Sequence, residues 1–482
     1  MAPIVAQLYT YLRRSLDRVK HDAEVILLAR NFAWSSSGVV LSQVITLISY
    51  ILLARYVGKE AFGQFTIVQS TANAVSTFAG LGLAVTATKY IAQLRLSNPS
   101  RAGSIFTLIG LITLTWTGLL AIVVLIASPQ IAAEILKKPE LLSAVRIGAM
   151  LLFFTTVMNV QNGALAGFES FDAIAKTSML RGFLILPFLL FGAAWGGVSG
   201  AVLGFAAAAA ITCIMNQGLL WRRCKAQFMR LNLRGSFQEV HFLTSFSIPA
   251  LLTNIVSTPC LALAQTLLVR QAGGYGYLAV FTAAFQLRAG IVLLPALLSQ
   301  PLVPMLARSS ANGASSRRSL MLATCAATLA VSVPLAAIVC CFPKYLMLAY
   351  GHAFTGNSPV LVLLAVSAVV NSFTAPFIAS ITSSGRMWSL AVAYGAWGAA
   401  FLATSCVLMP SVHATGLASA YLIADGVQAA VVLIVHRKSA HELRSEAVSS
   451  VIELPEATLL VDAQLPVPLN EVPEVFHHGD HR

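Results

Sequence analysis

Acidic residues are scarce in this chain: 18 Asp and Glu stand against 31 Lys and Arg in 482 residues. All charges together make up 10% of the sequence, while 57% of it is hydrophobic. A soluble domain carries about 25% charge, so this composition excludes a water-soluble core and points to a polytopic membrane protein. The net charge of +13 does not argue for nucleic acid, because the basic residues sit in short loops between apolar runs. None of the seven cysteines stands at metal-ligand spacing, and all lie in or beside apolar runs. Inert buried thiols are therefore expected, with no disulfide framework, metal or cofactor. Near the start, Arg13, Arg14, Arg18 and Lys20 are not followed by an apolar core and cleavage site in secretory order. No nucleophile–base constellation appears, and no outer loop is long enough to build a reactive surface, which argues against an enzyme.

What the chain does have is apolar runs of membrane-spanning length. In residues 35–69 the part up to Tyr56 holds no charge before Arg55 and suffices for one helical crossing. Ser35, Gly38, Ser42, Thr46 and Ser49 recur along one helical face. Small and hydroxylated residues permit close helix approach in lipid, so this stripe is predicted to face a bundle. Further spans follow at roughly 62–86, 104–127, 142–166, 172–194, 197–221, 241–269, 276–300, 319–342, 357–381, 387–409 and 413–436. The fold class expected is an all-α polytopic membrane protein of about twelve transmembrane helices.

Lys and Arg concentrate in alternate connections, which predicts two cytoplasmic termini. Residues 1–29 read as a cytoplasmic amphipathic segment on an anionic leaflet. Residues 30–221 form a first six-helix bundle, 222–240 a basic cytoplasmic linker, and 241–436 a second bundle. Residues 437–482 hold eight acids and four prolines and are expected as a disordered cytoplasmic tail.

The two bundles carry a repeat. Leu52-Leu53-Ala54-Arg55-Tyr56-Val57-Gly58 matches Leu267-Leu268-Val269-Arg270-Gln271-Ala272-Gly273. With one inserted residue, Phe65-Thr66 falls on Phe281-Thr282, and Gln69 falls on Phe285 beside Gln286. An even number of spans separates the copies, so both halves enter the membrane in the same direction. A parallel repeat places two bundles about an axis along the membrane normal, with a solute path between them. The stretch LLARYVGKEAFGQFTIVQS, then Gly80–Gln93, Gly163–Gly182 and Gly196–Ala208, resembles the Wzx-type oligosaccharide flippases and polysaccharide exporters. Their superfamily also holds multidrug (MATE) exporters and the lipid II flippase. The resemblance covers about residues 30–436 and is strongest in the first two spans. It implies a MATE-like fold and alternating access through a cationic lumen. The implied cargo is an undecaprenyl-diphosphate-linked oligosaccharide, moved across a bacterial inner membrane. Implied partners are that lipid, the surrounding membrane lipids, a polysaccharide polymerase and glycosyltransferases.

Two charges are expected deep in spans, Arg288 and Asp425. An ionisable group at mid-membrane normally faces water or a partner. Arg288 reads either as a cation for a diphosphate or as the partner of Asp425; Asp425 reads as a coupling site or as that same pair. Arg55 and Arg270 end the first and seventh spans and read as head-group ligands at the outer mouth or as snorkelling interface residues. Lys89 is placed at the cytoplasmic mouth. Gln69 and Asn73 on the second span, Asn254 and Gln265 on the seventh, and Gln286 on the eighth offer amides to sugar hydroxyls; helix–helix hydrogen bonds are their other reading. The alternative function is ion-coupled drug export on the same fold, against which stands the lack of any acid in the first span.

Overall fold

A computed structural model describes residues 23–226, 256–299, 314–384 and 386–452, and every described element is helical. The elements are α1 (Ala23–Val57), α2 (Lys59–Ala79), α3 (Leu83–Leu94), α4 (Pro99–Gln130), α5 (Leu142–Gly167) and α6 (Phe171–Ala226), followed by α7 (Ser257–Val269), α8 (Gly274–Ser299), α9 (Ala314–Cys341), α10 (Pro343–Leu348), α11 (Ser358–Ser383) and α12 (Met387–Ile452). Helix α6 breaks at Gly196–Gly197 and α12 at His413, so each makes two passes. Gly197 has φ 53°, which glycine adopts without cost; His413 adopts φ 47° and is held by hydrogen bonding to Gln271 and stacking on Tyr277. Among the described residues eight helices are long and apolar enough to span a membrane, and α2 with α3 forms a ninth path bent by 47°. The second passes of α6 and α12 and the apolar helix α7 bring the total to the twelve expected.

The bend between α2 and α3 falls at Gly80-Leu81-Gly82, where Leu81 and Gly82 both have positive φ. The second span thus runs on past residue 86 to Leu94. The predicted small-residue stripe of α1 does turn inward. A Cβ on Gly38 would meet Ala175, and one on Gly182 would meet Ser42, so α1 and α6 touch through glycine on both sides. Ser49 is fully buried, while Leu41, Val44, Ile48 and Leu52 are exposed on the opposite face, where acyl chains are the natural solvent.

One hydrophobic core is shared by both halves of the repeat. It includes Tyr50, Leu53, Phe62 and Phe65 from the first half and Leu268, Leu278, Phe281 and Met347 from the second. A second core consists of first-half residues alone, among them Ala87, Ile91, Ile105, Leu165 and Leu220. It lies at the opposite end of the bundle, by the α5–α6 turn. The halves therefore meet around residues 55–63, 131–141, 268–281 and 345–354. Helix α2 crosses α8 closely there, since a Cβ on Gly63 would run into the Tyr275 carbonyl.

The chain to Leu433 forms one compact unit and Ile434 opens a second. In the second, helix continues to Ile452, which corrects the expectation of a disordered tail from residue 437. The segment is built of Ala, Glu, Leu, Arg and Ser with no proline before Pro455, so nothing in it stops a helix. Residues 1–22, the linker from 227, Ser247, Pro249, Asn254, Pro301, Pro304 and the tail from 453 lie outside the described residues.

Candidate functional site

Inside the second half, Arg288 and Asp425 meet. Arg288 Nη2 lies 3.0 Å from Asp425 Oδ2, and Arg288 Nε donates to Ser367 Oγ at 3.0 Å. Ser367 in turn donates to Oδ2 at 2.6 Å, and Trp397 Nε1 donates to Oδ1 at 2.8 Å. The guanidinium also lies over the rings of Tyr421, at 4.6 Å, and Phe285, at 5.6 Å. Both charged side chains are buried, 8% and 3% exposed. Helices α8 and α11 and both passes of α12 thus converge on one ion pair whose carboxylate oxygens all carry donors. Such a pair offsets its own desolvation only when hydrogen bonds complete it, as here. The Nε–Nη2 edge of Arg288, the fork that suits two phosphate oxygens, is used within the protein.

Arg55 and Arg270 do something the sequence did not foretell: each crosses to the other half. Arg55 Nε donates to the Ala349 carbonyl at 2.6 Å, and its Nη2 to the Leu348 carbonyl at 3.3 Å. Arg270 Nη2 donates to the Glu134 carbonyl at 2.9 Å. Position 270 lies 215 residues after 55, and 349 lies 215 after 134, so the two contacts are copies under the repeat. The acceptors are carbonyls at the end of α10 and in the π-helical turn Ile131–Ile135, at helix ends where carbonyls run short of intrahelical donors. Beside them Tyr275 donates to the Leu136 carbonyl at 2.7 Å, and Lys138 pairs with Glu60 at 2.9 Å while covering the Tyr275 ring. The halves are latched together at this end by side chains donating to backbone.

The amide residues divide. The Tyr50 hydroxyl donates to Gln69 Oε1 at 2.7 Å, and Thr156 donates to Ser76 at 2.8 Å, so these two positions of the α2 stripe join helices. Asn73, between them, is exposed, and Gln286 is half-buried. Gln265 is buried with Oε1 lacking a partner among the described residues. Lys89 lies in α3 over the Tyr90 ring. Two further amide pairs, Gln161–Gln217 at 3.0 Å and Asn216–Asn162 at 3.1 Å, tie α5 to α6.

Sequence reasoning missed Arg181. It stands ten residues past Phe171 in α6, about 15 Å into the helix at 1.5 Å per residue. Its Nε is sheltered from solvent and has no hydrogen-bond partner among the described residues. The guanidinium lies 5.8 Å over the Phe205 ring, and Tyr50 is within electrostatic reach. A cation in this setting costs at least about 2.5–3.5 kcal/mol on insertion scales. The signal that could have exposed it was simple: Arg181 lies in the middle of the span expected at 172–194.

Comparison with known proteins decides the family. A profile described as polysaccharide biosynthesis protein matches residues 28–310. The chain belongs to that family. The matched region takes in the whole first half and the start of the second, the same gradient as the flippase resemblance. A search of curated proteins finds no match. Among solved structures, the fold is similar to the inward-facing conformation of a multidrug resistance MATE family transporter of the MOP superfamily (TM-score 0.68, 16% identity, 84% of this chain and 96% of that one). It is also similar to a MOP superfamily transporter from Pyrococcus furiosus (0.67, 15%, 86% and 96%). A third is the eukaryotic MATE transporter AtDTX14 (0.67, 14%, 87% and 98%). This family member is thus a multi-pass membrane protein with the MATE transporter fold.

Proposed function

We propose that this protein flips a polyprenyl-diphosphate-linked oligosaccharide from the cytoplasmic to the outer leaflet of a bacterial inner membrane, with both termini cytoplasmic. The observation that carries this reading is the polysaccharide-biosynthesis family match laid over a transporter fold made of two repeated halves. In this reading the latched end faces outward, so the described state receives cargo from the cytoplasm. Release requires the reciprocal Arg55 and Arg270 contacts to open and the opposite ends to close, which is alternating access between repeats. Asn73, Gln265 and Gln286 supply amide groups along the route of the sugars, with Lys89 at the entrance.

Drug export coupled to protons or sodium finds less support. Asp425, the one acid within a span, has both oxygens occupied by donors. The deciding experiment removes the protein from its host and follows both the lipid-linked glycan and surface polysaccharide. Accumulation of the glycan on the cytoplasmic leaflet, loss of surface polysaccharide and rescue by the wild-type chain are expected. Normal polysaccharide with lost dye efflux would instead make it a drug exporter.

A further inference from the structure

The first half has a part-buried cation inside a span, with its Nε sheltered, and no acid within the spans to answer it. Between Ala61 and Ala133, between Leu141 and Phe168, and between Ala173 and Ala226 the sequence holds no Asp or Glu, and none occurs from Val25 to Lys59. The nearest acids on the first half, Glu60, Glu134, Glu140, Glu169 and Asp172, stand at helix ends; Glu60, Glu169 and Asp172 are paired with Lys138, with Arg95, and with Lys176 and Arg223. Arg181 Nε is sheltered and unpartnered among the described residues, and the Phe205 face is the contact that supports the guanidinium. Arg288 in the other half sits in a network of four polar bonds. A guanidinium inside a span with no carboxylate in reach gains most from an anion supplied from outside the chain.

We propose that Arg181 is the phosphoryl-binding residue of the first half, taking a phosphate of the lipid diphosphate while the Tyr50–Gln69 pair forms the polar wall beside it. Phe205 fixes the plane of the guanidinium, and Tyr50 packs on Phe65 and near Phe205 in an aromatic cluster that holds this wall in place. A planar donor fork matches two oxygens of one phosphate. The site follows from Arg181 and its surroundings; the lipid source of the phosphate rests on the flippase reading.

The test uses the full chain in phosphatidylcholine nanodiscs. Binding of undecaprenyl diphosphate, neutral undecaprenol, phosphatidylglycerol and inorganic diphosphate is measured for wild type, Arg181→Ala and Arg181→Lys. Expected is at least a tenfold loss of undecaprenyl diphosphate affinity in Arg181→Ala, a smaller loss in Arg181→Lys, and no change for undecaprenol. Should Arg181→Ala misfold, Arg181→Lys and Arg181→Gln carry the comparison. Wild-type affinity in a folded Arg181→Ala or Arg181→Gln protein overturns the proposal. Equal Arg181-dependence for phosphatidylglycerol overturns the diphosphate assignment in favour of bilayer phospholipid. If wild type ignores undecaprenyl diphosphate yet inorganic diphosphate stabilises it through Arg181, the flippase reading and the lipid source fall together and the anion site stands.

Discussion

The two halves of the repeat treat an arginine inside a span in opposite ways: Arg288 is buried and Arg181 part-buried. In the second half Arg288 is closed into a network with Asp425, Ser367 and Trp397 that joins four passes. In the first half Arg181 rests on one aromatic face and keeps its polar edge unpaired among the described residues. A fully satisfied ion pair acts as a structural clasp, and removing one member strands the other. An unsatisfied cation weakens its bundle and is retained for what it can bind. Duplication supplied two similar scaffolds; the difference in counter-ion separates the half that is held together from the half left to receive charge.

Stability measurements can break this comparison most sharply. Arg288→Ala leaves the Asp425 carboxylate buried and is expected to cost about 3–5 kcal/mol, read as a marked fall in the melting temperature of the purified protein. Joining Arg288→Met to Asp425→Asn should recover most of that loss, because no net charge is then stranded. Arg181→Ala is expected to hold or raise stability, because it removes a cation without a counter-ion; a fall as deep as that of Arg288→Ala would erase the distinction between the halves.

The latch gives the next largest effect. Each hydrogen bond from a charged donor contributes about 1.5–3 kcal/mol, so Arg55→Ala with Arg270→Ala should shift the population toward separation of the latched ends. Spin-label distances between residues 56 and 345 would lengthen in the double variant and change less in either single one; unchanged distances would deny the latch its role. Gly63→Val forces a side chain against the Tyr275 carbonyl and is expected to cost about 1–3 kcal/mol, again opening the α2–α8 crossing. The smallest change is Tyr50→Phe, which removes one hydrogen bond to Gln69, about 1 kcal/mol. It should weaken diphosphate retention less than Arg181→Ala does, and an equal loss would move the site's centre from Arg181 to the hydroxyl.

Much of the architecture was legible because lipid leaves few choices. Runs near 20 residues, the small-residue stripe of α1 and the LLAR-type repeat pointed to twelve passes in two halves, and the helix breaks at Gly196–Gly197 and His413 fall where the expected spans 197–221 and 413–436 begin. The equivalence of Arg55 and Arg270 was visible too. Their acceptors were not, since backbone carbonyls carry no sequence signal and lie far along the chain. Arg181 was overlooked for a different reason: counting cations by connection hides one that stands inside a pass.

The amino-acid sequence by itself determined that the chain crosses the membrane many times and does so twice over, because apolar length and internal similarity are properties of order along the chain. Which charges neutralise each other was decided only by tertiary structure. Pairing depends on distances of a few ångströms between positions 79 to 137 residues apart, and in a medium of low dielectric those distances separate a clasped cation from one without a counter-ion.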